Sequence, residues 1–158
     1  MKKVTLIAIL LFTFYQGCRN SDNPVQSQAF VNSPTSVSAL KDSILYRLSI
    51  TADSISSQDT LRGSFLLINQ SKTQRVIHSP DSPIFQWVLR DSSGNNAMGM
   101  YGPNHHLVYM DTLNPNDTLR FAIQEKVPNL SKGLYTLDAD LYYPDPPDPV
   151  LSLKIVMQ

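Results

Sequence analysis

Few side chains in this sequence are of a type that makes or breaks bonds. There is one cysteine, Cys18, and there are three histidines, His78, His105 and His106. Adjacent side chains on a strand point to opposite faces, so His105 and His106 do not both reach one metal ion. Asp138 and Asp140 share a face, and that spacing reads as a solvated strand surface. Asp145 and Asp148 come nearest to a calcium arrangement, but the acidic loop of an EF-hand is missing. No metal and no cofactor is expected. For nucleophilic chemistry there is no G-x-S-x-G elbow. The sole glutamate, Glu125, falls at a strand end and has no glutamate partner for glycoside hydrolysis. The residue types point to recognition rather than catalysis, and the chain is expected not to be an enzyme.

Two segments have the composition of contact loops. Tyr142-Tyr143-Pro144-Asp145-Pro146-Pro147-Asp148-Pro149 sets its backbone in extended form through its prolines and displays aromatics and carboxylates. Rigid aromatic loops lose little entropy on binding, which makes Tyr142, Tyr143, Asp145 and Asp148 candidate partner-binding residues. Prolines that merely block edge pairing account for the same residues. The second segment, 98–110, brings Tyr101, His105 and Tyr109 around Gly102-Pro103. It reads either as an adhesive patch or as a cover for the open end of a core.

The elements that must position these loops follow from periodicity. Alternate residues are apolar in Tyr46-Leu48-Ile50, Leu61-Phe65-Leu67, Phe85-Trp87-Leu89, Leu119-Phe121-Ile123, Tyr135-Leu137-Ala139-Leu141 and Leu151-Leu153-Ile155-Met157, with a short apolar strand at Val76-Ile77. Turn signals such as Asn69-Gln70-Ser71-Lys72 and Asp91-Ser92-Ser93-Gly94 separate them. Six such runs and the short one, with one or two weaker strands between Ala97 and Met110, predict an all-β chain of seven to nine strands. Two antiparallel sheets sharing their apolar faces satisfy the pattern, as in an immunoglobulin-like Greek-key sandwich. Leu130 to Tyr135, with Gly133 ahead of the tyrosine, predicts a tyrosine corner. The sequons at Asn69, Asn116 and Asn129 read as turns in an Asn- and Ser-rich chain.

The first eighteen residues address location. Lys2-Lys3, the apolar run Val4–Phe14 and Gly17 before Cys18 have the layout of a secretory signal. The run is too short to span a bilayer. With a lone cysteine at the cut, residues 1–17 resemble a bacterial lipoprotein signal peptide. That resemblance implies that Cys18 is lipidated and that the protein sits in the bacterial cell envelope, attached to the membrane through the lipid. Residues 18–41 are polar and Pro-containing and read as a flexible tether; 42–158 form the domain. The chain has 13 basic and 13 acidic side chains and no basic stripe, which argues against nucleic acid as a partner.

The order of features also resembles the BsuPI-type intracellular proteinase inhibitor family. The residues concerned are Asn69-Gln70-Ser71, Val76-Ile77, the aromatic strand ending in Asp91-Ser92-Ser93-Gly94, the Leu113-Asn114-Pro115-Asn116 turn, and Gly133-Leu134-Tyr135-Thr136-Leu137-Asp138-Ala139. The resemblance covers about Ser43 to Leu141 and implies an immunoglobulin-like sandwich. The leading expectation is a membrane-anchored lipoprotein whose sandwich docks a protein or glycan partner through its loops or plays a structural part. The alternative is a proteinase inhibitor acting through an exposed loop.

Overall fold

Strict alternation of burial along the C-terminal strands shows why this sequence folds as stacked sheets. In Leu151–Met157 every odd residue is buried and every even one exposed. Such a strand has one face for a core and one for water. The computed structural model describes residues 28–33, 35–79, 84–100, 109–141 and 148–158, and among these there is no helix.

The described residues form twelve strands: β1 Gln28–Ser33, β2 Ser36–Lys41, β3 Ile44–Ile50, β4 Ser54–Ile55, β5 Thr60–Asn69, β6 Arg75–Ser79, β7 Phe85–Arg90, β8 Asn96–Met100, β9 Tyr109–Leu113, β10 Thr118–Lys126, β11 Gly133–Leu141 and β12 Leu151–Met157. One sheet has the order β1-β2-β3-β5-β10 and the other β4-β12-β11-β7-β8, with β6 and β9 forming a separate two-stranded ribbon. The chain passes from the first sheet to the second between β5 and β7, returns between β8 and β10, and passes again to the second between β10 and β11, so β5 pairs with β10 and β7 with β11. These are the crossed neighbours of a Greek key. β4 leaves the first sheet and runs parallel to β12 in the second. The fold is the all-β, immunoglobulin-like sandwich expected from the periodicity.

Leu48, Leu61, Phe65, Leu67 and Ile123 of the first sheet meet Leu89, Leu137 and Ile155 of the second, all fully buried. An aromatic stack runs through this core. Phe85 lies between Phe65 and Phe121, with ring centroids 5.2 and 5.1 Å away, and Tyr46 tilts against Phe65. The tyrosine corner is present: the Tyr135 hydroxyl donates to the Ser131 carbonyl at 3.0 Å. Tyr135→Phe removes that bond and nothing else, so urea denaturation should show a loss of about 1 kcal/mol.

Three expectations need correction. The described residues form twelve strands rather than seven to nine, because β1 and β2 lie in the segment read as tether and the two-residue β4 is too short to show alternation. The tether does not reach residue 41. Ser36–Lys41 pair with β3 residue by residue, Ala39 enters the core, and β1 adds a further strand outside β2. Among the described residues, strand structure thus reaches back to Gln28 instead of beginning after residue 42. Polar Ser and Asn residues between apolar ones hid a sheet edge inside what read as linker. Val88, placed with the polar face of its strand, is buried, flanked in register by Asp138 of β11 and Gly99 of β8.

Candidate functional site

Strand direction places the stem of the proline-rich loop at one end of the sandwich. Asn69 pairs with Ile44, Thr118 with Ile68 and Lys41 with Ile44, so these residues share an end of the first sheet. Phe85 pairs with Leu141, and the Lys41–Asp148 contact brings the start of β12 to the same end. Leu141 and Asp148 flank the proline-rich loop there. Met100, near the end of β8, and Tyr109, at the start of β9, flank the second segment. The β6–β9 ribbon is built on this end as well. β6 leads from the end of β5 towards β7, and β9 leads from β8 to the start of β10.

Of the sequence-predicted site residues, Asp148 and Tyr109 are described. Cys18, Tyr101, His105, Tyr142, Tyr143 and Asp145 lie outside the described residues. Asp148 is an anchor. The Tyr46 hydroxyl donates to its Oδ1 at 2.7 Å, and the Lys41 Nζ lies 3.6 Å from the same oxygen. Side-chain exposures of 17% for Lys41 and 13% for Asp148 put this contact largely out of water. Burial raises the Asp148 carboxyl above its ordinary pKa and outweighs the Tyr46 bond and the Lys41 charge. Burial, and then the neighbouring carboxylate, also push the Tyr46 hydroxyl upward. Tyr109 is half-buried against the core and donates to Asp111 Oδ2 at 3.0 Å; burial raises its pKa, with Asp111 adding to the effect. Met98 also packs on the core, whereas Met110 is exposed. The described part of that segment therefore covers the core on one face and presents an apolar group on the other.

Asn69 is the polar centre of this end, and its structural role was not foreseen. It is fully buried, with 0% exposure. Its Nδ2 donates to the Leu113 carbonyl at 2.9 Å and the Thr73 carbonyl at 2.8 Å, and its Oδ1 accepts from the Ser71 amide and hydroxyl. One side chain thus ties β5, the following loop and the end of β9 together, and its burial leaves no room for a glycan at that sequon. Tyr46 and Lys41 were also missed. The available signal was a tyrosine on the buried phase of a strand, since a buried hydroxyl requires a partner.

On the outer face of the second sheet, Gln86, Arg90, Asn96, Asp138, Asp140 and Val150 line a groove of about 190 Å³. The Arg90 Nε is 3.0 Å from Asp138 Oδ2, Arg90 also bonds Asn96, and the Ser152 hydroxyl donates to Asp138 Oδ1 at 2.6 Å. The face read as solvated is thus partly enclosed. Burial raises the Asp140 pKa above its usual value, opposed by a bond from Gln86 and aided by Asp138 and Asp148. The folded state therefore binds the Asp140 proton more tightly than the unfolded chain does. Stability falls as pH rises from the ordinary carboxylate range through the raised value, and the loss persists above it. Asp140→Asn should be more stable than the parent at neutral pH and equal to it in acid, as read by urea denaturation across pH. Among the described residues no group of three or more His, Cys, Asp or Glu is placed to hold a metal ion.

No protein-family model and no curated protein matches the chain. Solved structures with a similar fold include a β-glucosidase from Erythrobacter marinus, at 17% identity and a TM-score of 0.46, covering 70% of this chain and 15% of that one. Others are the CARDB domain of a Pyrococcus furiosus protein in complex with di-metal ions and the sporulation control protein Spo0M of Bacillus subtilis. The first has 8% identity, a TM-score of 0.43, and coverage of 70% of this chain and 84% of that one. The second has 14% identity, a TM-score of 0.43, and coverage of 70% and 47%. The chain spans only a small part of the glucosidase and about half of the sporulation protein.

Proposed function

We propose that this chain is a lipoprotein of the bacterial cell envelope, acylated at Cys18, whose sandwich makes non-enzymatic contact with a protein partner at the membrane. The observation that carries the reading is the double anchoring of Asp148. Tyr46 and Lys41 hold the C-terminal stem of the 142–149 segment against the first sheet. A loop whose stem is fixed before binding loses less freedom on contact. The same anchoring serves the alternative, in which the loop occupies a protease cleft in extended form.

Two measurements test this. Intact mass spectrometry of the mature chain from bacterial membranes should show acyl chains on an N-terminal Cys18; an unmodified thiol overturns the anchor. A photo-crosslinker in place of Val150, which is exposed beside the stem, should capture a discrete protein in the envelope. Deletion of 142–147 should abolish that product. Absence of any crosslink sinks the contact role. Saturable inhibition of a protease by the purified domain, lost in the same deletion, would install the inhibitor reading in its place.

A further inference from the structure

The first described strand, β1, starts at the Asn69 end. Gln28 pairs with Leu40, next to the turn that Lys41 and Ile44 flank. Only residues 19–27 separate it from Cys18. Nine residues reach at most about 32 Å when fully extended, and a flexible chain of that length spans roughly 15–20 Å. The long strands of the sandwich, nine or ten residues each, are themselves about 30 Å long. An anchor at Cys18 therefore holds the Asn69 end close to the bilayer and the opposite end a domain length away.

The β6–β9 ribbon sits on that near end. Its inward face carries Ile77, Tyr109 and Leu113, packed on the core. Its outward face carries Val76, His78, Met110 and Thr112, all exposed. The register pairs His78 with Met110 and Val76 with Thr112, so Val76 and Met110 are diagonal neighbours on one surface. They are 57% and 67% exposed, the latter the highest exposure of any large apolar residue described. Asp42, Lys72 and Asp117 are exposed around this end as well, beside Arg75 and Lys41, so the described charges there are mixed in sign.

We propose that the outward face of the β6–β9 ribbon, with Val76 and Met110 at its centre, lies against the lipid surface to which Cys18 is tied. The inference rests on the reading of Cys18 as the anchor, because the short connection supplies the nearness. The contact is apolar in origin and weak alone; the anchor makes it persistent by raising the local concentration of bilayer.

The test holds the anchor fixed by chemistry. All twelve strands of the described residues lie between Gln28 and Met157, so the chain from Cys18 onward retains every one of them. It is coupled through the Cys18 thiol to a maleimide phospholipid in phosphatidylcholine vesicles at low coverage, and the uncoupled chain serves as reference. Hydroxyl-radical footprinting reads Val76 and Met110 at the near end. Leu134 and Val156, partly exposed and paired at the opposite end, are the internal standard. Coupling should slow modification of Val76 and Met110 by at least about fivefold relative to Leu134 and Val156. Equal modification at both ends overturns the proposal. So does protection confined to Leu134 and Val156, or protection that appears only at high coverage, which marks contact between copies. Because coupling bypasses biosynthetic acylation, failure here is separate from failure of the anchor, which the mass of the natural mature N-terminus reports.

Discussion

Asn69→Ala is expected to lower stability by about 3–4 kcal/mol, the largest loss from removing a single polar side chain in this molecule. The Leu113 carbonyl loses its bond from Asn69 Nδ2 in a buried setting, and the Ser71 amide loses its acceptor. An orphaned buried group costs about 1–3 kcal/mol, well above the net gain of a typical hydrogen bond. The Thr73 carbonyl is spared because the Ser71 hydroxyl, 2.6 Å away and relieved of Asn69 Oδ1 as an acceptor, donates its one proton there. Loss of the side chain further leaves a void at the junction of three segments. Thermal unfolding should fall by roughly 15 °C or more for a domain of this size. Asn69→Asp should be at least as damaging, since it turns the donating nitrogen into an acceptor facing the same carbonyls. A loss below about 1 kcal/mol for the alanine variant would mean that water or a shifted loop satisfies these groups, and the account of this end would fail.

Gly63→Val is the second substitution with a large expected effect. Leu61, Gly63, Phe65 and Leu67 follow one phase of β5, and the leucines and the phenylalanine are fully buried. A Cβ at Gly63 would lie 2.5 Å from the Ser49 carbonyl oxygen and 3.2 Å from the Ile50 side chain. The first of these is backbone within a paired strand, so rotating a side chain cannot relieve it. β5 is also held on its other side by β10, where Gly63 faces Ile123. Separating β3 from β5 would disturb ladders on both sides. Gly63→Ala should cost about 2–3 kcal/mol and Gly63→Val more, with much of the valine variant insoluble on expression. Gly94 provides the contrast. It sits in the β7–β8 turn with φ 84° and nothing within 4 Å of a Cβ, so Gly94→Ala should cost only about 1 kcal/mol from its backbone conformation. Urea denaturation of the three variants checks the ranking; equal losses would show that the close approach at Gly63 relaxes freely.

Both effects arise at positions that serve the architecture, one through a buried amide and one through the lack of a side chain, and this frames the proposed role. The end bearing the stem of the proline-rich loop is held by Asn69, by the Tyr46–Asp148–Lys41 contact and by the Tyr109–Asp111 bond. A rigid platform of that kind suits loops that make contact, and it keeps the ribbon face in a fixed orientation at the end where the proposed anchor would attach.

The alternation of apolar residues decided the class of fold by itself. In β11 and β12 a two-residue period admits only one buried face, and the structure buries it as read. The tyrosine corner was equally legible, because Gly133 and Tyr135 adjoin so regular a strand. What periodicity could not carry was pairing. Ser36–Lys41 became a strand because β3 offered it an unfilled edge, a property of the sheet and not of those six residues. Asp148 read as a displayed carboxylate, yet it is an anchor because Tyr46, 102 residues away in sequence, comes to rest beside it. Asn69 read as a turn residue, and only the return of β9 to the end of β5 made it a buried junction. Local pattern reports which face of a segment avoids water; which polar atoms meet across the chain depends on the path of the Greek key, and that was settled only on folding.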